Sequence, residues 1–371
     1  MKGTVHYETR GEIALLSIDN PPVNPLSSGV RQGLFDGMTK ALADEAVKAV
    51  VITGLNRAFI AGADISEFGA AASEGVGLGE ALEIMENSTK PVIAAINGTA
   101  FGGGLETALC CDYRIAASTA PVGLPEVKLG LLPGAGGTQR LPRLIGAQAA
   151  LKAIVSGDPI MAPQAQKLGI VDRIAEGDIV EEGIKYAEEI VAAGSATRKI
   201  RDLTDKIAGD KGNTAVFENA AAQLNKTNRG QFAPAQILKC VEAAVNADSF
   251  DAGMAVEREC FAACMQDPQR EALIHIFFAE RAANKIPGLS KDDPLIDINK
   301  GSVIGSGTMG GGIAMCFANA GIPVRLHDNN AENLAKGLKV IEGNYARTVS
   351  KGRLTQEAMD KRMSLIIPTE N

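Results

Sequence analysis

A chain of 371 residues is longer than one hydrophobic core usually accommodates, so two or three domains are expected. Its composition, 46% hydrophobic and 22% charged with a net charge of −7, is that of an ordinary globular protein and excludes a broad phosphate-binding face, which needs concentrated basic residues. No apolar run approaches the ~18 residues that span a bilayer, and the N-terminus alternates like strands instead of showing the basic-then-apolar build of a signal peptide. The six cysteines, at 110, 111, 240, 260, 264 and 316, lack the paired spacing of a structural zinc site. They read as reduced packing residues of a cytosol-like compartment, and no metal is expected.

Residues 3–18 contain two short β-like runs, and Asn20, Pro21, Pro22 and Asn24 then open a loop. From Ser27 to Glu45 apolar residues recur at helical intervals (Val30, Leu34, Met38, Leu42), which predicts an amphipathic helix. VKAVVITG (47–54) is a largely apolar run closed by glycine, as in a strand covered on both faces. AFIAGADISEF reads as a glycine turn into a short helix, and Val76 to Lys90 as a longer one. Strand and helix alternating in this order suggest βα units around a mainly parallel sheet.

The stretch from Pro91 to Arg140 organises the rest. Pro91 to Ile96 is a buried strand, Asn97-Gly98 turns the chain, and Gly102, Gly103 and Gly104 lead into the helical LETALCC. Glycines at a helix start let the backbone approach a ligand, and the unpaired N–H groups of the first turn point outward at the positive end of the dipole. Glu106 lies one turn into that helix, and Glu126 follows in a second glycine-rich stretch, GLPEVKLGLLPGAGGTQRLPRL. Two carboxylates beside backbone donors suggest proton transfer next to a stabilised oxyanion. Chemistry alone says that such a pair would couple, so that one member stays protonated near neutral pH. Arg140 and Arg143 read either as solvated residues or as contacts for an anionic ligand.

Helices at 147–156 and 162–168, a strand at 169–175 and a helix from Glu181 to Ala193 follow, closing a first domain near residue 190. From about 195 to 290 the apolar spacing is helical (Ile237, Leu238, Val241, Ala244, Val245), and these helices need a partner surface. Ile286-Pro287-Gly288 and Asp292-Asp293-Pro294 mark a boundary. SVIG (302–305) is a strand, after which Gly305, Gly307 and Gly310 stand in G-x-G-x-x-G order around Met309 and before a helix. The next strand, PVRLHD, ends at Asp328, where an acid can bond the ribose hydroxyls of NAD and repel the extra phosphate of NADP. Helices over Ala331 to Met363, broken near Gly352, and a third strand in SLIIP complete the sequence.

AFIAGADISEF, NGTAFGGGLETALCCDYRIA and GLPEVKLGLLPGAGGTQRLPRLIG resemble the enoyl-CoA hydratase (crotonase) family in order and spacing. SVIGSGTMGGGIAMCFANAGIPVRLHD resembles the opening of the L-3-hydroxyacyl-CoA dehydrogenase Rossmann domain, and APAQILKCVEAAV and ALIHIFFAERAANKIPG resemble the segment between the two in multifunctional fatty-acid β-oxidation enzymes. The fold implied is α/β: a crotonase ββα spiral over 1–190, a helical connector over 191–296 and the start of a Rossmann NAD-binding domain over 297–371.

The implied function is hydration of trans-2-enoyl-CoA, with 3-enoyl-CoA to 2-enoyl-CoA isomerisation as a second activity. The resemblance assigns the water to Glu106, the α proton to Glu126 and the oxyanion hole to the N–H groups of Ala63 and Gly103. It sets Ala61, Gly62, Asp64, Ile65, Gly102, Pro125 and Gly134 against the CoA thioester, and Gly305, Gly307, Met309, Gly310 and Asp328 against NAD. The rival readings are a non-catalytic crotonase-fold binding or assembly module and another CoA-thioester reaction on the same scaffold, such as decarboxylation or dehalogenation; the pair of glutamates favours hydration.

A six-stranded dinucleotide fold needs roughly another hundred residues, and His6, His275 and His327 do not match the family's catalytic histidine. The expectation is therefore a piece of a longer polypeptide, with weak or no NAD binding and no dehydrogenase activity. A monomer is expected, with trimer or dimer as alternatives, in the bacterial cytoplasm or in peroxisomes; no nucleic acid and no membrane insertion are expected.

Overall fold

The computed structural model describes residues 2–64, 75–194, 197–283, 285–290, 293–294 and 296–370. The chain divides into two compact units, Met1–Asn284 and Lys285–Asn371. Of the connector expected over 191–296, residues up to Asn284 fall in the first unit and the rest in the second.

In the first unit the hairpin β1 (Thr4–Arg10) and β2 (Ile13–Asp19) leads through α1 (Ser28–Ala43) to β3 (Ala49–Gly54) and β4 (Ala58–Ile60). Then come α2 (Leu78–Glu86), β5 (Val92–Ile96), β6 (Thr99–Phe101), α3 (Gly103–Cys110), β7 (Tyr113–Ala117) and β8 (Pro121–Gly123). A six-stranded sheet has the order β1-β2-β3-β5-β7 with β10 (Arg173–Ala175) at its far edge; only the β1–β2 pair is antiparallel. A second sheet joins β4, β6 and β8 in parallel and adds β9 (Ile160–Met161) antiparallel. Each turn of chain thus gives one strand to the large sheet, one to the small sheet and then a helix, which is the ββα spiral that the resemblance implies. The strands of the small sheet, two or three residues each, are too short to show a period of two in the sequence.

The period-2 pleat explains why the large sheet reads as continuous apolar runs. Ala14, Leu16, Val50, Ile52, Ala94 and Ile96 face the main core. Their neighbours Leu15, Ala49, Val51, Ile93, Ala95 and Ile115 face a smaller core, closed by Ile184, Ala187 and Ile190 of a helix at Ile179–Ala192.

The chain between β8 and that helix holds a short 3₁₀ helix (Glu126–Leu129), α4 (Gly137–Ile145), α5 (Ala147–Ser156) and α6 (Ala162–Leu168); the helix at Ile179–Ala192 is α7. The strand expected at 169–175 is confined to 173–175, because Gly169 at φ +89° ends α6 and the chain turns before pairing with β7. The connector supplies α8 (Asp205–Ala208), α9 (Thr214–Thr227), α10 (Ala233–Asn246), α11 (Phe250–Gln266) and α12 (Pro268–Ala283). Through Ile237, Cys240, Val241 and Ala244, α10 buries its apolar stripe and packs against α4, α5 and α11.

The second unit is a parallel three-stranded sheet, β11 (Gly301–Ile304), β12 (Val324–His327) and β13 (Ile366–Thr369) in that order. It is crossed by α13 (Thr308–Asn319), α14 (Ala331–Ser350) and α15 (Gln356–Ser364), which pack on Val303, Val324, Leu326 and Ile366. Among the described residues no helix is long and apolar enough to cross a membrane.

Candidate active site

A cavity of about 880 Å³ opens in the first unit. The glycine turns entering α3 form one wall, with the 3₁₀ helix and the loop before α4 opposite, and α2, α11 and α12 complete it. Of the residues that the sequence assigns to substrate or chemistry, Ala61, Gly62, Ala63, Gly102, Gly103, Glu106, Pro125, Glu126 and Gly134 line this cavity. Asp64 does not, and Ile65 lies outside the described residues, as does the short helix expected after Gly62.

Close backbone approach explains the glycines. A Cβ on Gly104 would stand 2.1 Å from the Ile60 carbonyl oxygen, so only glycine lets α3 seat against β4. Gly102, at φ +54° and ψ −126°, occupies a backbone region that side chains rarely enter, and a Cβ there would lie 2.8 Å from Glu126 Oε1. The same turn brings Ala63 N to 3.7 Å from the Cβ position of Gly103. Neither the Ala63 nor the Gly103 N–H has a partner among the described residues.

The carboxyls facing the cavity sit in opposed environments. Glu106, 3% exposed, accepts through Oε1 from the N–H groups of Ala135 (2.7 Å) and Gly137 (2.8 Å). Burial raises its pKa above the usual carboxylate range, and those two amides and the nearby Arg140 offset part of that rise. Glu126 has less support: its own backbone N–H is the one group that lowers its pKa, and Oε2 is buried with no hydrogen-bond partner among the described residues. Burial, then the charge of Glu106, then that of Glu257, hold its proton well above the usual carboxylate range. Both carboxyls hold their protons above the usual range, but Glu106, with two amides on Oε1, gives its proton up more readily than Glu126.

Sequence reasoning missed two further buried acids. Glu257 of α11 is fully buried and accepts from the N–H groups of Gly136 (2.7 Å) and Thr138 (3.2 Å) and from the Thr138 hydroxyl (2.5 Å). Glu86 of α2 forms a bidentate pair with Arg140 at 2.8 Å to each oxygen. The available signal was a charge inside a buried helical stripe: Gly253, Glu257, Cys260 and Cys264 in one case, Ala81, Leu82, Met85 and Glu86 in the other. Arg140 and Arg143 are not solvated but 4% and 7% exposed. Arg140 also donates to the Ala135 carbonyl, and Arg143 donates to the Gln139 carbonyl and lies over the Phe250 ring.

In the second unit Gly305, Gly307, Met309 and Gly310 come together between β11 and the start of α13. A Cβ on Gly310 would meet the Gly305 carbonyl at 1.7 Å, whereas the space before Gly305 and Gly307 is open. Asp328 stands at the end of β12, where its Oδ2 accepts from the N–H and hydroxyl of Ser306.

Comparison with known proteins agrees with this geometry. Residues 8–233 match the enoyl-CoA hydratase/isomerase family, and residues 300–371 match the 3-hydroxyacyl-CoA dehydrogenase NAD binding domain. The chain is 42% identical over 347 residues to the peroxisomal bifunctional enzyme of Cavia porcellus, covering 92% of this chain and 47% of that protein. It is 35% identical over 365 residues to the glyoxysomal fatty acid beta-oxidation multifunctional protein MFP-a of Cucumis sativus, covering 95% of this chain and 50% of that one. The chain thus spans about half the length of the curated relatives it matches. Among solved structures, the carnitinyl-CoA hydratase from Mycobacterium avium superposes with a TM-score of 0.56 at 28% identity, over 76% of this chain and 97% of that one. With matching motifs, spiral and domain order, the chain belongs to the enoyl-CoA hydratase/isomerase family and carries the 3-hydroxyacyl-CoA dehydrogenase NAD binding domain after it.

Proposed function

We propose that the cavity binds an acyl-CoA thioester and hydrates trans-2-enoyl-CoA to 3-hydroxyacyl-CoA in fatty-acid β-oxidation. The observation that carries this reading is the pair of glutamates, Glu106 holding its proton less tightly than Glu126, lining one cavity with two amides that have no partner among the described residues. As water adds at the β carbon, negative charge builds on the thioester oxygen. The N–H groups of Ala63 and Gly103 would receive it, and loss of one such donor typically costs about 3–4 kcal/mol. Glu106 keeps Oε2 free of partners among the described residues while the loop amides hold Oε1, so it is placed to bind water and take its proton. Glu126 would deliver the α proton. Moving a double bond from the 3 to the 2 position needs one carboxyl to shuttle a proton, and Glu126 serves there as well, which makes isomerisation the second activity.

For the second unit we infer NAD as the cofactor of the 3-hydroxyacyl-CoA dehydrogenase reaction of the longer enzyme, where it supplies a hydride acceptor. The open face of Gly305 and Gly307 and the tight Gly310 contact fit a pyrophosphate, and Asp328 fits the ribose hydroxyls. By analogy with the relatives' names the compartment is peroxisomal.

The test is spectrophotometric hydration of crotonyl-CoA by the full chain, with Glu106→Gln and Glu126→Gln alongside. Robust turnover that either change nearly abolishes is expected; an inert parent, or a variant at parental rate, would overturn the assignment.

A further inference from the structure

The loop before α4 is gripped from both sides. Along residues 135 to 138 the amides alternate: those of Ala135 and Gly137 point to Glu106, those of Gly136 and Thr138 to Glu257. The two acids come from distant parts of the chain, α3 in the spiral and α11 in the connector. Glu257 does not line the cavity, so it touches no substrate. We propose that Glu257 is a positioning residue for the hydration reaction: by holding the even-numbered amides it fixes the odd-numbered ones on Glu106, and so orients the carboxyl that binds water.

Each of these N–H groups is at or near the free N-terminus of α4, where no intrahelical acceptor exists. Without the Glu257 carboxyl, Gly136 and Thr138 would have to turn toward other acceptors. With those three hydrogen bonds gone the loop is tied down less firmly, so the Ala135 and Gly137 donors on Glu106 would no longer be held in place. Thr138 stiffens the arrangement, since its hydroxyl donates to Glu257 while accepting from Gln139 Nε2 at 3.0 Å, and Gln139 in turn holds the Cys240 carbonyl at 2.9 Å. Burial and the charge of Glu106 push the Glu257 pKa up to about 8, against the pull of Thr138, Gly136 and Arg140. Both Glu257 oxygens accept in this arrangement, Oε1 from Gly136 and Oε2 from the Thr138 amide and hydroxyl.

This inference rests on the hydratase reading above, and the experiment separates the two. Crotonyl-CoA hydration is measured for the full chain, Glu257→Ala, Glu257→Asp, Glu257→Gln, Glu106→Gln and the double variant Glu106→Gln with Glu257→Ala. Misplacing a catalytic group by a fraction of an ångström to an ångström lowers rates by roughly 10–100-fold, so Glu257→Ala should lose that much in kcat with little change in KM. Glu257→Asp, one methylene too short to reach both amides, should lose kcat as well. Glu257→Gln keeps the reach but has one accepting oxygen for two amides, so it should lose kcat too, by less than Glu257→Ala.

In the Glu106→Gln background Glu257→Ala should add almost nothing, because it acts through a group already disabled. Should Glu257→Ala fail to fold, Glu257→Asp takes its place in the same cycle. Parental kcat in a folded Glu257→Asp, a change confined to KM, or losses that multiply with Glu106→Gln would overturn the proposal. A parent that does not hydrate crotonyl-CoA would instead overturn the hydratase reading.

Discussion

Replacing Glu126 by glutamine should produce two effects of opposite sign. The Glu126 carboxyl is buried at Oε2 with no partner among the described residues, and two neighbouring acids add repulsion to the cost of burial. Its folded-state pKa is thus raised above the ordinary 4.5. The folded protein holds this proton more tightly than the unfolded chain does. The stability that this confers is complete below the unfolded pKa and is lost as pH rises through the folded one, at up to about 1.4 kcal/mol per pH unit crossed. Glutamine has no proton to lose. At about pH 5 the variant and parent should unfold at similar urea concentrations; at about pH 8.5 the variant should be more stable by roughly 1–3 kcal/mol, less than the full slope because the three acids titrate as a coupled set. Hydration should meanwhile fall by about 10²–10⁴-fold at every pH, the usual worth of a positioned general acid. Activity within tenfold of the parent, together with a stability difference that does not change with pH, would refute the assignment of Glu126 as the protonated partner.

Gly102→Ala combines a left-handed backbone with a Cβ 2.8 Å from Glu126 Oε1, so urea unfolding should show a loss of about 1–3 kcal/mol; hydration should drop as well, and a parental unfolding curve would contradict the strain. Arg140→Met leaves Glu86 buried with Arg201 at 3.5 Å as its remaining cation, and thermal unfolding should register about 3–5 kcal/mol of destabilisation, much of it recovered by adding Glu86→Leu. Gly310→Ala would drive a Cβ to 1.7 Å from the Gly305 carbonyl; amide exchange at Val303 and Leu326 should accelerate at least about tenfold as that unit loosens, while exchange in α3 stays unchanged.

The large sheet, its helices and the glycine-rich turns were legible because each depends on local pattern: apolar runs closed by glycine, 3.6-residue stripes and G-x-G-x-x-G spacing. Glu106 and Glu126 could be singled out for the same reason, since one follows a glycine-rich segment and the other stands near the start of a second. The small sheet was not, because pairs such as Ala100 with Val122 are created by the spiral and leave no periodicity behind. Glu257 and Glu86 were hidden for a related reason. A glutamate in a helix ordinarily faces water, and only the arrival of Gly136 and Thr138 from 119 to 121 residues away makes burial of Glu257 tolerable. The arginines at 140 and 143 went inward by the same logic, as partners of Glu86 and of the Phe250 ring.

The sharing of four consecutive peptide groups between α3 and α11 bears on how this catalyst could be cut out and moved. An excision ending near residue 190, where the spiral itself is complete, would remove Glu257 together with Phe250, Met254 and Phe261 from the cavity wall. A cassette that keeps this cavity has to run past Gln266, because the stretch that looks like a spacer between two domains supplies part of the cavity wall.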